Sequence, residues 1–170
     1  MPLLRRRRPG LPDDVRIRLG IADGDAPLAV GRTTSDGWVV ATRGGLAVAE
    51  GEEVLRRAWT DVDGARLDPA TDELAVTWVD GTATTTLALR AEAARNLARA
   101  VHDRVQSSVV HGERVELGRG RTVRVVLRRA DDGALLTQVI GAGDVDLDDP
   151  ATAAVVDAAE ARVREAAGLR

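Results

Sequence analysis

The chain has 170 residues and a formal net charge of −3, with 44% hydrophobic and 30% charged residues. This is the composition of a globular protein and excludes a disordered or membrane-embedded chain. The absence of cysteine excludes disulfides, thiolate metal sites and cysteine nucleophiles, and the acidic net charge gives no support to polyanion binding.

All 24 basic residues are arginine, in a chain rich in alanine, glycine, valine and aspartate. We interpret this as codon bias in a GC-rich genome, so the abundance of arginine is not by itself evidence for phosphate binding. The only aromatic residues are three tryptophans, and the core must therefore be built from aliphatic side chains. We expect Trp38, Trp59 and Trp78 to be the structural anchors of that core.

Residues 1–13 form a basic leader that we predict to be disordered. The cluster Arg5, Arg6, Arg7 and Arg8 is followed by no apolar run, so this is not a secretion signal. No segment approaches the roughly 18 apolar residues of a membrane-spanning helix, and we expect a cytoplasmic protein. The four arginines are candidates for contact with anionic lipid, although the two leucines before them make a poor anchor.

Short strands separated by turn residues follow, as is typical of an antiparallel barrel or sandwich. Val15–Ile21 alternates apolar and polar residues, which predicts a half-buried strand. The most definite hairpin signal is Asp80-Gly81, because these residue types tolerate the backbone of tight turns. The other predicted strands before the first helix are Leu28–Thr33, Trp38–Thr42, Leu46–Ala49, Glu53–Trp59, Glu73–Val79 and Thr82–Leu89.

The spacing of the apolar residues changes at Arg90. Apolar residues then recur at steps of three and four as far as Val110, which predicts one amphipathic helix whose apolar stripe needs a partner surface. The stripe comprises Ala94, Leu97, Ala98, Val101, Val105 and Val109.

The corner Trp59-Thr60-Asp61-Val62, an aromatic residue followed by polar residues and an aliphatic one, and the order of strands before the helix resemble a bacterial pleckstrin-homology-like (PH-like) barrel. The whole chain resembles uncharacterised actinobacterial proteins of similar length. The resemblance implies an α+β, mostly β fold in which residues 14–110 form an antiparallel barrel capped by the helix. A small β-sandwich with appended helices and an α+β roll are the alternatives.

The resemblance also implies a binding-module role, but it does not supply a binding site. The phosphoinositide pocket of such domains needs clustered basic residues between the first two strands. The corresponding loop, Arg32–Gly37, has one arginine and one aspartate, which disfavours phosphoinositide recognition.

Residues 111–170 are predicted to form a β-β-β-α extension, with strands Glu113–Leu117, Arg121–Arg129 and Ala134–Ile140. The strand Arg121–Arg129 alternates in a way that predicts one solvent-exposed, arginine-bearing face. Asp149 and Pro150 predict the start of the helix Thr152–Ala167, with Val155, Val156, Ala159 and Val163 facing inward. A unit of this size is small to fold alone, so we expect it to pack on the barrel or on a second copy, which would make a homodimer.

No constellation for catalysis emerges from the sequence, and we expect no catalytic residues, no cofactor and no metal. The acidic run from Asp144 to Asp149 lacks the glycine and glutamate of a calcium loop. His102 and His111 are the only histidines; His102 lacks a nucleophile partner, and His111 is predicted at the end of the helix. Ser107 and Ser108 lack the glycines of a nucleophile elbow.

The sequence therefore favours a non-enzymatic PH-like binding or scaffolding module for an unidentified protein partner. The first alternative is peripheral membrane association through the basic N-terminus, helped by Arg56 and Arg57. The second, disfavoured by the net acidic charge, is weak nucleic-acid binding along Arg121–Arg129.

Overall fold

The computed structural model describes residues 10–169 apart from residues 119, 142 and 144. These residues form an α+β, mostly β fold, which confirms the predicted class. In chain order the elements are α1 (Asp13–Arg18), β1 (Ala29–Arg32), β2 (Trp38–Ala41), β3 (Gly45–Glu50), β4 (Glu53–Ala58), a 3-10 turn (Trp59–Asp61), β5 (Val62–Asp68), β6 (Glu73–Trp78), β7 (Thr85–Ala88), α2 (Ala91–Ser108), β8 (Val109–Glu116), β9 (Thr122–Arg129), β10 (Leu135–Ile140) and α3 (Pro150–Ala166).

The strands form three antiparallel sheets, in the orders β1-β2-β3-β4, β5-β6-β7 and β10-β9-β8. The first two sheets share one hydrophobic core, to which α2 also contributes. They touch at one edge through a single bridge between Thr33 and Leu89, and the chain passes between them at the 3-10 turn. In the residues that the structure describes, no continuous ladder of strands closes these sheets into a barrel.

The predicted amphipathic helix is confirmed as α2, which is two residues shorter at its C-terminal end than expected. The place predicted for Val109 in its apolar stripe is wrong, because Val109 begins β8 and is 37% exposed. Its buried stripe, including Ala94, Leu97 and Val101, packs mainly on β1 and β5. Gly31 of β1 lies directly beneath this stripe: a Cβ atom there would overlap Leu97 and would approach the Cβ of Ala93 to 2.9 Å. The helix therefore sits close to the first sheet because β1 lacks a side chain at this point.

The predicted strand Val15–Ile21 is wrong, because residues 13–18 form the helix α1. Val15 and Leu19 are buried, whereas Ile17 is 78% exposed, so the apolar residues that pack are spaced by one helical turn. They cover the outer face of the first sheet at Val40 and Ala47. The outer face of this sheet thus has its own small core.

The C-terminal sheet packs on α3 through one of its faces. Val123, Val125 and Leu127 of β9 meet Val156, Ala159 and Val163 of α3 in a second hydrophobic cluster. The cap predicted at Asp149 is confirmed, since its carboxylate accepts a hydrogen bond of 2.9 Å from the backbone N–H of Thr152. The predicted inward position of Val155 is wrong, because that side chain is 42% exposed.

The opposite face of β9 carries Arg124 and Arg128; Arg124 is 42% exposed, and the prediction of a solvent-exposed arginine face is wrong at Arg128. Arg128 is 1% exposed and reaches the 3-10 turn, and the side chain of Arg124 forms an ion pair with Asp63 of β5. Burial lowers the pKa of Arg128, and the nearby carboxylate of Asp63 opposes that shift. The C-terminal sheet consequently lies between α3 and the corner that joins the first two sheets.

Candidate functional site

The described residues form an open cleft with a volume of about 730 Å³. It opens between the turn that joins β1 to β2, the hairpin of β3 and β4, and strand β7. Each of these elements belongs to a sheet that packs on the central core, so the walls of the cleft are held by regular secondary structure.

The cleft exists because β7 runs past the end of β1. The last backbone hydrogen bond between them joins the N–H of Thr34 to the carbonyl of Ala88, at 2.8 Å. Beyond that point the chain leaves β1 in a tight turn, in which Asp36 has a positive φ of 67°. On the edge of β7 opposite β6, residues Thr85–Leu87 therefore border the cleft.

The floor of the cleft is apolar. Val48 and Leu87 are 5% and 6% exposed, and the half-buried Leu55 is the register partner of Val48 in the β3–β4 hairpin. These side chains belong to the central core, and the cleft gives access to them from outside. An apolar group that entered the cleft would be buried on this floor.

The rim is polar and carries two carboxylates, Glu50 and Glu53. The Oε1 atom of Glu50 accepts hydrogen bonds from Thr33, at 3.1 Å, and from Ser35. Thr33 in turn accepts a hydrogen bond of 2.7 Å from the N–H of Gly37. This network fixes one side of the rim, whereas Glu53 on the other side is exposed.

The network also explains why residue 37 is glycine. A Cβ atom there would lie 2.6 Å from the carbonyl oxygen of Ala49 and 2.7 Å from the hydroxyl of Thr33. Cβ atoms in protein structures essentially never lie within 3.0 Å of a backbone oxygen. Glycine at this position lets the β1–β2 turn lie against β3 and close that end of the cleft.

The three tryptophans lie outside the lining of the cleft. Trp59 is buried, and its Nε1 donates to the carbonyl oxygens of Thr42 and Arg43, at 3.1 and 2.9 Å. Trp78 is also buried and donates to the hydroxyl of Thr85 at 3.1 Å. Trp38 is only half-buried and lies against the small outer core.

Several arginines that the sequence suggested for phosphate contact are engaged within the fold, whereas Arg129 at the end of β9 is exposed. Arg5, Arg6, Arg7 and Arg8 lie outside the described residues. Arg56 donates to the carbonyl oxygen of Arg18 at 2.8 Å, and Arg57 pairs with Asp80 at 3.0 Å. Arg32 lies over the ring of Trp38 and pairs with Asp36. These contacts give Arg32, Arg56 and Arg57 structural roles.

The remaining candidates for chemistry are dispersed. His111 lies in β8, so its predicted position at the helix end is wrong; both it and His102 are exposed. The hydroxyl of Ser108 is buried and donates to the carbonyl oxygen of Val105 at 2.7 Å. Among the described residues, no three His, Asp or Glu side chains form a group that could hold a metal.

Two smaller depressions are less suited to a ligand. One of about 260 Å³ lies between α1 and the β2–β3 turn, where the guanidinium of Arg56 lies against Gly20. Another of about 600 Å³ is a shallow surface on the outer face of α3, lined by charged side chains such as Asp157 and Arg164. The first also has apolar and charged lining residues, such as Leu19 and Arg57, but its volume is less than half that of the cleft.

Sequence reasoning missed the cleft because its lining comes from strand ends that are distant in the chain. The one available signal is the threonine run Thr84–Thr86, which extends into β7 without marking a buried face. In the described part of the chain, no helix is both long and apolar enough to cross a bilayer.

Comparisons of the chain with protein-family models, with curated proteins and with solved structures found no match.

Proposed function

We propose that this chain is a non-enzymatic PH-like binding or scaffolding module that engages a protein partner at the cleft beside β7. The order of a four-stranded sheet, a three-stranded sheet and then α2, which packs on both, supports the PH-like part of the proposal. In this arrangement the cleft is the place where the barrel stays open.

The observation that carries the binding role is the combination of a polar rim with an apolar lining, in which Val48 and Leu87 are nearly buried and Val54 is 40% exposed. Val48, Leu55 and Leu87 belong to the core and yet line an open cleft of about 730 Å³. A cleft that gives access to core side chains, with hydrogen-bonding groups at its rim, suits a ligand that is itself apolar at its centre and polar at its edges. A segment of another protein has this character.

Within residues 10–169, as far as the structure describes them, no comparable surface supports the membrane or nucleic-acid alternative. Arg56 and Arg57 are held by Arg18 and Asp80, and Arg124 and Arg128 of β9 face the first two sheets. A phosphate group would also meet the carboxylates of Glu50 and Glu53 at the cleft. The observed charges therefore favour a protein partner.

Site-specific photo-crosslinking tests the proposal. A benzophenone amino acid replaces Thr86 in the cleft or, as the control, the exposed Asp157 on the outer face of α3. Full-length protein is irradiated in extracts of cells that naturally express it, and crosslinked products are identified by mass spectrometry. We expect a protein that is captured from position 86 and not from position 157, which would be this chain itself if the partner is a second copy. Identical products from both positions, or only lipid or nucleic acid, would contradict the proposal.

A further inference from the structure

Resting on the binding function proposed above, we propose that the occupant of the cleft is an extended basic peptide segment that adds as a strand to the free edge of β7. Strand addition to an exposed sheet edge is an established mode of peptide recognition, in which main-chain hydrogen bonds supply affinity and side-chain pockets supply specificity. The edge, the floor and the rim each support one part of this proposal.

The edge of β7 is unpaired over most of its length. β7 pairs with β6 on one side, and on its other side the described backbone contacts begin only at Ala88 and continue past the strand, at Leu89 and Arg90. An unpaired strand edge is a template for another strand. Thr85, Thr86 and Leu87 all line the cleft, so the template faces the space that a strand would fill.

Thr86 presents the hydrogen-bonding groups. The carbonyl of Ala88 accepts from Thr34, and therefore points away from β6. Backbone groups of an antiparallel strand point to alternate edges at successive residues. The N–H and C=O of Thr86, two residues earlier, consequently point to the free edge, where an incoming strand would pair with both.

The floor and the rim define the side chains of that strand. Alternate side chains of an added strand would face inward, where Val48, Leu55 and Leu87 offer an apolar surface. Both charged residues that line the cleft, Glu50 and Glu53, are acidic. The two hydroxyl donors of Glu50 both bind Oε1, which leaves Oε2 without a hydrogen-bond partner among the described residues. Arginine or lysine side chains between the apolar ones complement this rim.

The test measures binding of three fluorescein-labelled hexapeptides to the full-length chain by fluorescence anisotropy. One peptide alternates arginine and valine, the second alternates glutamate and valine, and the third is the basic peptide with alternate backbone amides methylated. We expect the basic peptide to bind, and the other two to bind at least about tenfold more weakly, because they lose the charge complementarity and the main-chain donors respectively.

Variants of the protein assign the contacts. Thr86→Pro removes the outward N–H at an edge position that tolerates proline, and Glu53→Arg reverses one charge of the rim. Each variant should bind the basic peptide at least about tenfold more weakly than the wild type does. The controls Thr84→Pro and Glu52→Arg make the same changes at exposed residues that do not line the cleft, and they should bind like the wild type.

Each outcome decides a part of the proposal. If the basic and acidic peptides bind equally well, the charge assignment is wrong. If the methylated peptide binds as tightly as the unmethylated basic peptide, strand addition is wrong, and this comparison needs no variant of the protein. If no peptide binds, the proposal is wrong. A partner that crosslinks at position 86 would then leave the general binding function intact, which separates the two failures.

Discussion

The buried guanidinium of Arg128 donates from Nη1 to the carbonyl oxygen of Trp59 at 3.1 Å, and the same nitrogen lies 2.8 Å from the carbonyl oxygen of Val62. It also contacts the hydroxyl of Ser108 at 3.3 Å. One side chain of β9 thus joins the C-terminal sheet to the 3-10 turn and to the last turn of α2. Arginine suits this position because its planar group presents several donors in fixed directions.

Replacing Arg128 by alanine should destabilise the fold strongly, since the carbonyl groups of Trp59 and Val62 would lose their buried donor and a cavity would form. We expect the free energy of unfolding to fall by about 3 kcal/mol. The matched control is Arg124→Ala on the same strand, whose ion pair with Asp63 is partly exposed and should contribute under about 1 kcal/mol. Urea denaturation measures both variants. If both variants lose the same free energy of unfolding, the buried contacts of Arg128 do not stabilise the fold more than the partly exposed ion pair of Arg124 does.

Gly31→Ala tests the close approach of α2 to β1. The added methyl group would overlap Leu97 and crowd Ala93, so the helix must shift outward. Overpacking of this kind costs about 1–3 kcal/mol. Gly24→Ala, which meets no atom within 4 Å, should change stability by under about 1 kcal/mol. Thermal unfolding of the two variants provides the comparison, and a stabilised Gly31→Ala protein would refute the close packing described for α2.

Alanine substitutions at Ile17 in α1 and at Leu19, the C-cap of α1, distinguish the helix from the strand that the sequence predicts. A strand would bury Ile17 together with Leu19, whereas the helix exposes Ile17 and buries Leu19, which is 1% accessible. We expect Leu19→Ala to cost about 2–5 kcal/mol and Ile17→Ala to stay within about 0.5 kcal/mol of the wild type. Similar losses for both variants in chemical denaturation would favour the strand.

The segment Val15–Ile21 shows why a helix and a strand cannot always be distinguished from sequence. Val15, Ile17, Leu19 and Ile21 fit a period of two, but Val15 and Leu19 also fit one helical turn. Local pattern does not choose between these periods. The choice is made by the outer face of the first sheet, where Val40 and Ala47 offer a surface that one helix face covers. By contrast, α2 is long enough for its period to be unambiguous, and it was predicted correctly.

The candidate site was beyond prediction for a related reason. The apolar character of Val48, Leu55 and Leu87 is visible in the sequence, and each was assigned to a strand. Their meeting in one cleft depends on how far β7 extends past β1, which is set by the bridge between Thr33 and Leu89. A pairing between such distant residues leaves no periodic signal. For the same reason the alternation of β9 could not show that Arg128 faces buried carbonyl groups.

The cap at the start of α3 should make stability depend on pH on the acid side. Hydrogen bonds from the backbone N–H and the hydroxyl of Thr152 hold the pKa of Asp149 below its ordinary value near 3.8. Because the pKa is lower in the folded state, the contribution of the carboxylate is fully present above the ordinary value. It is lost as the pH falls through the folded-state pKa.

Two variants isolate this contribution. Asp149→Ala removes the cap and should lower the melting temperature at neutral pH, and Asp149→Asn should retain most of the stability because an amide oxygen also caps a helix. The gap between the wild type and Asp149→Ala should narrow as the pH falls below about 3.8. Thermal melts followed by circular dichroism between neutral and strongly acidic pH measure that gap. A gap that stays constant across the range would mean that the ionised form of Asp149 does not stabilise α3.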